Sequence, residues 1–400
     1  MRQNRIAFAV ALCAFVALNG ASKPAHAQDD VAYQLDVAHD GNTIFPGGFG
    51  APLKRQWVRN LGGQVSYPLI ANGMVFVTVG NTVGNPGSQI YALDLGTGKI
   101  VWQKLISGPF SWSNAAYENG RVFVLSYSGI LQAFSADAAG TMLWSIQMPY
   151  AQTYEAAPVA YGGHVYVTGV AFSGGGSSYS VNEETGAVEW KSIYGLVGSA
   201  PGFGGGDMFL TYIGSALAVN PATGKLIWGK KDGNYEAYWG NTPAYYAGRL
   251  YQRDSTNGNI DYDAATGKHR HPFASDGTPA FWPSPSGKSY MITRRGQTLY
   301  ATNVQNGSEL WQFGGDGKLF SSALVINDMV VSPSYSGEIY LLDAATGKQL
   351  WSDNVGAPII ASDSDNQTAL PWTGLGAGGG YLIVPATNRL VAYTMKRAVR

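Results

Sequence analysis

Short apolar or alternating runs recur along the whole chain, among them Met74-Val-Phe-Val-Thr78, Arg121-Val-Phe-Val-Leu125, His164-Val-Tyr-Val-Thr168 and Met329-Val-Val331. Each has the length of a strand, and no stretch sustains the 3.6-residue period of an amphipathic helix. Several runs share an upstream signature of Pro, an apolar pair and a Gly turn, as in the segments from Pro68 to Phe76, Pro158 to Tyr166 and Pro243 to Tyr251. That pattern predicts an inner strand, a hairpin and a second strand. The chain therefore reads as all-β.

A second pattern follows each pair of runs: Tyr91-Ala-Leu-Asp-Leu-Gly-Thr-Gly-Lys-Ile-Val-Trp102, Leu217-Ala-Val-Asn-Pro-Ala-Thr-Gly-Lys-Leu-Ile-Trp228 and Tyr340-Leu-Leu-Asp-Ala-Ala-Thr-Gly-Lys-Gln-Leu-Trp351. Weaker copies run from Ala133 to Trp144, Ser180 to Trp190, Asp261 to His271 and Ala301 to Trp311. The Asx side chain accepts backbone N–H bonds in the turn, and the glycine supplies a positive φ. The ring that follows covers apolar surface between neighbouring units. Trp57, Trp102, Trp144, Trp190, Trp228, Trp311 and Trp351 occupy this structural position, and His271 stands in the eighth. A spacing of about 40 residues is that of a four-stranded propeller blade, so the prediction is an eight-bladed β-propeller of antiparallel blades over residues 52–396. Trp57 has no blade before it, while the C-terminal runs Tyr381-Leu-Ile-Val and Arg389-Leu-Val-Ala-Tyr393 lack a final tryptophan. The two ends are expected to share the last blade and close the ring.

At Ala92-x-Asp94-x-x-Thr97-Gly98-x-x-x-Trp102 and Ala218-x-Asn220-x-x-Thr223-Gly224-x-x-x-Trp228 the repeat resembles the tryptophan-docking motif of the quinoprotein-type propellers. The group includes enzymes that bind pyrroloquinoline quinone with calcium and cofactor-free members such as the propeller lipoprotein of the outer-membrane assembly machinery. The absence of an adjacent cysteine pair and the lack of room for insertions between blades place this chain nearer the second kind. No cofactor is predicted. Pyrroloquinoline quinone with calcium has no specific residues here to hold it, since the nearest oxygen-ligand cluster, Asp363, Asp365 and Asn366, lacks a downstream acid at EF-hand spacing.

Composition adds the compartment. Arg2 to Arg5, the apolar run from Ile6 to Leu18 and Ala25-His26-Ala27 have the three regions of a secretory signal peptide over residues 1–27, followed by an N-terminal extension over 28–51. The apolar run is too short to span a bilayer. Cys13, the single cysteine, falls inside the leader, so the mature chain is cysteine-free and neither disulfides nor a lipid-accepting cysteine are expected. The 26 basic and 26 acidic residues balance, and loss of the leader leaves a slight acidic excess, which argues against nucleic acid. A periplasmic or secreted monomer without a membrane anchor, meeting a protein or glycan partner, is the expectation.

A ligand site on a propeller is expected where loops converge on the central channel. The candidates there are Trp112, Tyr154, Glu155, Trp239, Arg253, Asp254, Arg294 and Trp372, with Tyr238, Phe281, Trp282, Phe320, Glu236 and Arg295 around them. Aromatic faces could stack on a sugar or quinone and the charged groups orient it. Glu155 with Asp254 or Glu236 would form a carboxylate pair, and His164 or His271 a base, if the protein were a carbohydrate-active enzyme or a quinoprotein-type oxidoreductase. The leading expectation is a noncatalytic binding or scaffolding propeller.

Overall fold

The computed structural model describes residues 29–80, 87–106, 113–149, 153–170, 176–195, 198–231, 241–361 and 371–395. The leader, Trp112, Glu236, Tyr238, Trp239, Asp363, Asp365 and Asn366 lie outside them.

Eight sheets follow one another around a ring. Blade 1 is built from Leu69–Ala71, Met74–Val79, Ser88–Asp94 and Ile100–Ile106, each strand antiparallel to the next. Blades 2 to 7 repeat this order outward from the axis. The second strand of a blade is packed on both faces by its neighbours, so Met74–Val79 is buried at every position. The outermost strand has one blade face and one solvent face, and Gln349–Asn354 accordingly alternates between half-buried and exposed residues.

Blade 8 takes Gly376–Gly378, Tyr381–Ala386 and Arg389–Met395 from the C-terminal part and its outer strand, Leu53–Asn60, from the N-terminal part. The predicted closure is therefore observed, with Trp57 opposite Ala392 and Asn60 opposite Arg389. This strand also binds both adjoining blades. Arg55 donates from Nε and Nη2 to Asp353 Oδ2 of blade 7, at 3.1 and 2.5 Å. Arg59 donates to the Gly98 and Thr97 carbonyls of blade 1.

The repeated turn works as its residue types dictate. Asp94 Oδ1 accepts bonds from the Thr97 backbone N–H and hydroxyl at 2.8 and 2.6 Å, which hold its carboxyl below the usual carboxylate range. Gly98 closes the turn at φ +64°. Trp57, Trp102, Trp144, Trp190, Trp228 and Trp311 each lay the indole over the turn glycine of the next blade and donate Nε1–H to a turn carbonyl, at 2.8 to 2.9 Å. Trp351 meets no such turn, because blade 8 draws its third and fourth strands from opposite ends of the chain; it packs edge-on against Tyr393 instead.

One departure from uniform four-stranded blades comes from the N-terminal extension. Asn42–Thr43 pairs in parallel with the inner strand Leu324–Ile326, giving blade 7 a fifth strand on its channel side.

Candidate functional site at the channel mouth and axis

An inner strand shows unpaired backbone groups to the channel, and in this protein residues 30–45 satisfy them. The segment pairs Asp30 with Ile70 of blade 1 and accepts at the Val31 carbonyl from Tyr117 N–H of blade 2. It turns at residues 31–35, where Val31 N–H reaches the Leu35 carbonyl. It then returns along the opposite wall: the carbonyls of Val37, Ala38, Asp40 and Gly41 accept from Phe203, Tyr245, Phe281 and Val325 of blades 4, 5, 6 and 7. Blade 8 joins through Ala377 N–H on Asp30 Oδ2. Gly41 has to be glycine, since a β-carbon would meet Ala280 Cβ at 2.8 Å and its φ is +61°.

The side chains of this segment fill the space they enter. Tyr33, Leu35 and His39 are at most 2% exposed. Tyr33 packs edge-on against Tyr67 and Trp372, at 5.6 and 5.4 Å between ring centroids. The His39 ring lies between two carbonyls, Nδ1 2.7 Å from Tyr33 O and Nε2 3.0 Å from Pro201 O, while burial lowers its pKa. Burial pushes Asp36 up to about 6 and raises Asp30 and Asp40 as well, the latter also through repulsion from Asp36.

The described candidates read from sequence fall into four separate placements. Trp372 is buried against Tyr33, with its backbone tied to Asn114 and Tyr67. Tyr154 is buried over Gly129 and donates to the Pro149 carbonyl, and the neighbouring Glu155, raised by burial, accepts from Thr153. Asp254 caps its own loop, accepting from Thr256, Asn257 and the Gly214 N–H across the blade boundary. Arg253 and Arg294 do come together, both donating to the Asp276 carbonyl, at 3.3 and 3.0 Å. Glu155 and Asp254 are held in the loops of different blades by separate partners.

Of the surrounding residues, Phe281 stacks on Tyr246 and Trp282 on Tyr290, both as buried core. Arg295 lies over the Tyr300 ring. Phe320 differs: it is 43% exposed, lies under the Arg294 guanidinium at 5.3 Å and meets Tyr335, itself 51% exposed, edge-on. His164 is engaged by Glu189 and Ser180 on a blade. His271 has left the tryptophan slot, its side chain 60% exposed. Sequence reasoning missed the segment that occupies the axis, because its recognition is backbone to backbone.

Pyrroloquinoline quinone with calcium would need a ring-sized void and converging oxygen ligands at the axis. Residues 30–45 occupy that volume with buried side chains and backbone bonds, and among the described residues no group of three or more His, Cys, Asp or Glu could hold a metal ion. The described residues do not fit the group.

Comparison with known proteins places the fold in a family of mixed roles. The family described as outer membrane protein assembly factor BamB matches residues 86–231 and 213–399. Tetrathionate hydrolase of Acidithiobacillus ferrooxidans is 30% identical over 150 residues, 38% of this chain and 26% of its own length. The dehydrogenase subunit of alcohol dehydrogenase (quinone) from Gluconobacter oxydans is 29% identical over 163 residues, 35% of this chain and 21% of its own. The matches thus span about a quarter of these relatives. Among solved structures, a europium-containing methanol dehydrogenase superposes with a TM-score of 0.74 at 14% identity, over 93% of this chain and 99% of the other. These similarities favour neither the assembly factors nor the dehydrogenases, which corrects the expectation that the chain stands nearer the former.

Proposed function

From a chain that belongs to the propeller family of the outer membrane protein assembly factor BamB, we propose an exported, noncatalytic binding and scaffolding propeller that presents its loop face to a protein partner. The observation that carries this reading is the occupied axis: where a propeller enzyme keeps its ligand cavity, this chain lays its own residues 30–45 against inner strands of blades 1, 2, 4, 5, 6 and 7. Partner contact then falls to the loops. Phe320 and Tyr335, exposed side by side with Arg294 over the first ring, form an aromatic and cationic patch of the composition that dominates protein interfaces.

A second reading, an oxidoreductase or other enzyme with its site at the channel mouth, draws support from the tetrathionate hydrolase and quinone-dependent alcohol dehydrogenase relatives. One experiment tests the quinone-dependent form of this second reading. The mature protein is melted with and without pyrroloquinoline quinone and calcium. Binding to the folded state raises the melting temperature by mass action. No shift is expected, and a rise of several degrees would overturn the noncatalytic reading.

A further inference from the structure

At the junction of blades 5 and 6 the docking motif changes at three coupled positions. His271 replaces the tryptophan and turns outward. Asp261 replaces the small residue paired with the tryptophan elsewhere, Ala92, Ala133, Ser180, Ala218 or Ala301, and accepts the His271 backbone N–H. Arg249 crosses the gap, with Nη1 2.9 Å from Asp261 Oδ2 and 2.9 Å from the Val304 carbonyl. That carbonyl follows Asn303 as Ala264 follows Asp263, so the guanidinium takes the acceptor that an indole N–H takes at the other junctions.

The guanidinium fills only the polar end of the slot. A β-carbon added to the turn glycines 98, 140, 186, 224, 267 and 347 would meet indole carbons at 2.5 to 2.9 Å, whereas at Gly307 nothing lies within 4 Å. What remains is a cleft of about 440 Å³ between the blades, walled by Tyr251, Phe273 and Met291 above the Gly307 turn. Tyr251 pairs with Asp261 as Phe209 pairs with Ala218, and Phe209 lies 6.2 Å from the Trp228 ring. Phe273 meets Tyr251 edge-on at 5.6 Å. The buried Tyr251 hydroxyl sits beside Arg249 and, among the described residues, makes no hydrogen bond of regular geometry.

We propose that this inter-blade cleft binds a planar aromatic ring of indole size carrying a carboxylate. The register position of Tyr251 is an aromatic ring against a docked indole at four other junctions of the same molecule, where Phe76, Phe123, Tyr166 and Phe209 hold it. The Tyr251 hydroxyl supplies a donor at the polar end, and Arg249 and Arg295 against the single acid Asp261 make the lining cationic. A tryptophan side chain carries the same ring without the carboxylate, and the test keeps the two apart.

The mature protein, labelled with ¹³C at methionine methyls, is titrated with indole-3-acetate, tryptamine and N-acetyl-tryptophan amide, the Met291 signal being assigned through Met291→Leu. A ring over the cleft moves the Met291 methyl by ring current, saturably, with a dissociation constant on the order of 0.1 to 1 mM for a ligand this small. Indole-3-acetate is expected to bind at least about threefold more tightly than tryptamine. His271→Trp, which returns the missing indole, should weaken binding by about tenfold or more. Tightest binding of the free acid supports the proposal, and tightest binding of the carboxylate-free amide would overturn it by assigning the site to a partner's side chain. Absence of a saturable Met291 shift up to roughly 10 mM, or full binding in a folded His271→Trp protein, would overturn the proposal.

Discussion

Alanine at the turn glycines distinguishes an occupied docking slot from an empty one. Gly98 and Gly307 have nearly the same backbone, φ +64° and +69°, so a β-carbon at either costs about 1 kcal/mol in left-handed strain. At Gly98 the new carbon would also stand 2.5 Å from Trp57 Cδ2, and the indole has to move. Overpacking of that kind costs about 1 to 3 kcal/mol. Displacing the ring also lengthens its 2.8 Å bond to the Leu95 carbonyl, worth about 1 kcal/mol more. Gly98→Ala should therefore lose about 3 to 5 kcal/mol and Gly307→Ala about 1. With an unfolding entropy near 2.1 cal/mol/K per residue, a chain of this length converts these to melting shifts of about 4 to 6 °C and about 1 °C. Calorimetry on both variants measures the difference. Repeating Gly98→Ala on a Trp57→His background recreates the blade 5–6 junction, and the penalty should shrink to about 1 kcal/mol. Equal losses at the two glycines, or no coupling in the double mutant, would refute the reasoning.

Two further outcomes follow from the axial segment. A protein beginning at residue 50 keeps the closing strand but uncovers the amides of Ile70, Tyr117, Phe203, Tyr245, Phe281 and Val325; it should melt lower and lose hydrogen-exchange protection at those six amides while the outer strands retain theirs, and unchanged protection would count against the segment's structural role. Because burial raises Asp36 to about 6, its ionisation penalises the folded state as pH climbs through the interval from about 4 to 6, and Asp30, Asp40 and Glu118, raised by burial too, act in the same direction, while His39, lowered by burial, acts against them. Asp36→Asn keeps an acceptor for the Ala38 N–H but cannot ionise, so it should raise the melting temperature at pH 7 and leave it unchanged at pH 4; an equal fall at both values would exclude ionisation as the cause.

The parts of this molecule that are local in sequence were legible before the structure. The Asp94, Thr97, Gly98 and Trp102 positions lie within nine residues, and each residue type carries its role in the turn directly. Closure was legible because Trp57 lacked a blade and Tyr393 lacked a tryptophan. The axial segment left no such trace: Val31, Val37, Ala38 and Asp40 hold the inner strands through carbonyls that every residue possesses. The surroundings of the channel-mouth aromatics were not legible, since Trp282 and Trp372 look the same in sequence whatever they meet, and in the structure they meet Asp328 and Tyr33. The inter-blade cleft was half visible in His271. Its partners Asp261 and Arg249 acquired meaning only with the strand register that aligns them.

The axial segment also orders events in time. Its contacts run from Asp30 to Ala377 and from Gly41 to Val325, so they join residues near the start of the chain to residues near its end. Leu53–Asn60 likewise waits for Arg389–Met395. Residues 30–60 thus find their places only once residues 325–395 are available to them. Such non-local pairing folds slowly, because the loop entropy is lost before any contact compensates it. Until the final blade arrives the chain remains an open arc whose inner strand edges lack their partners.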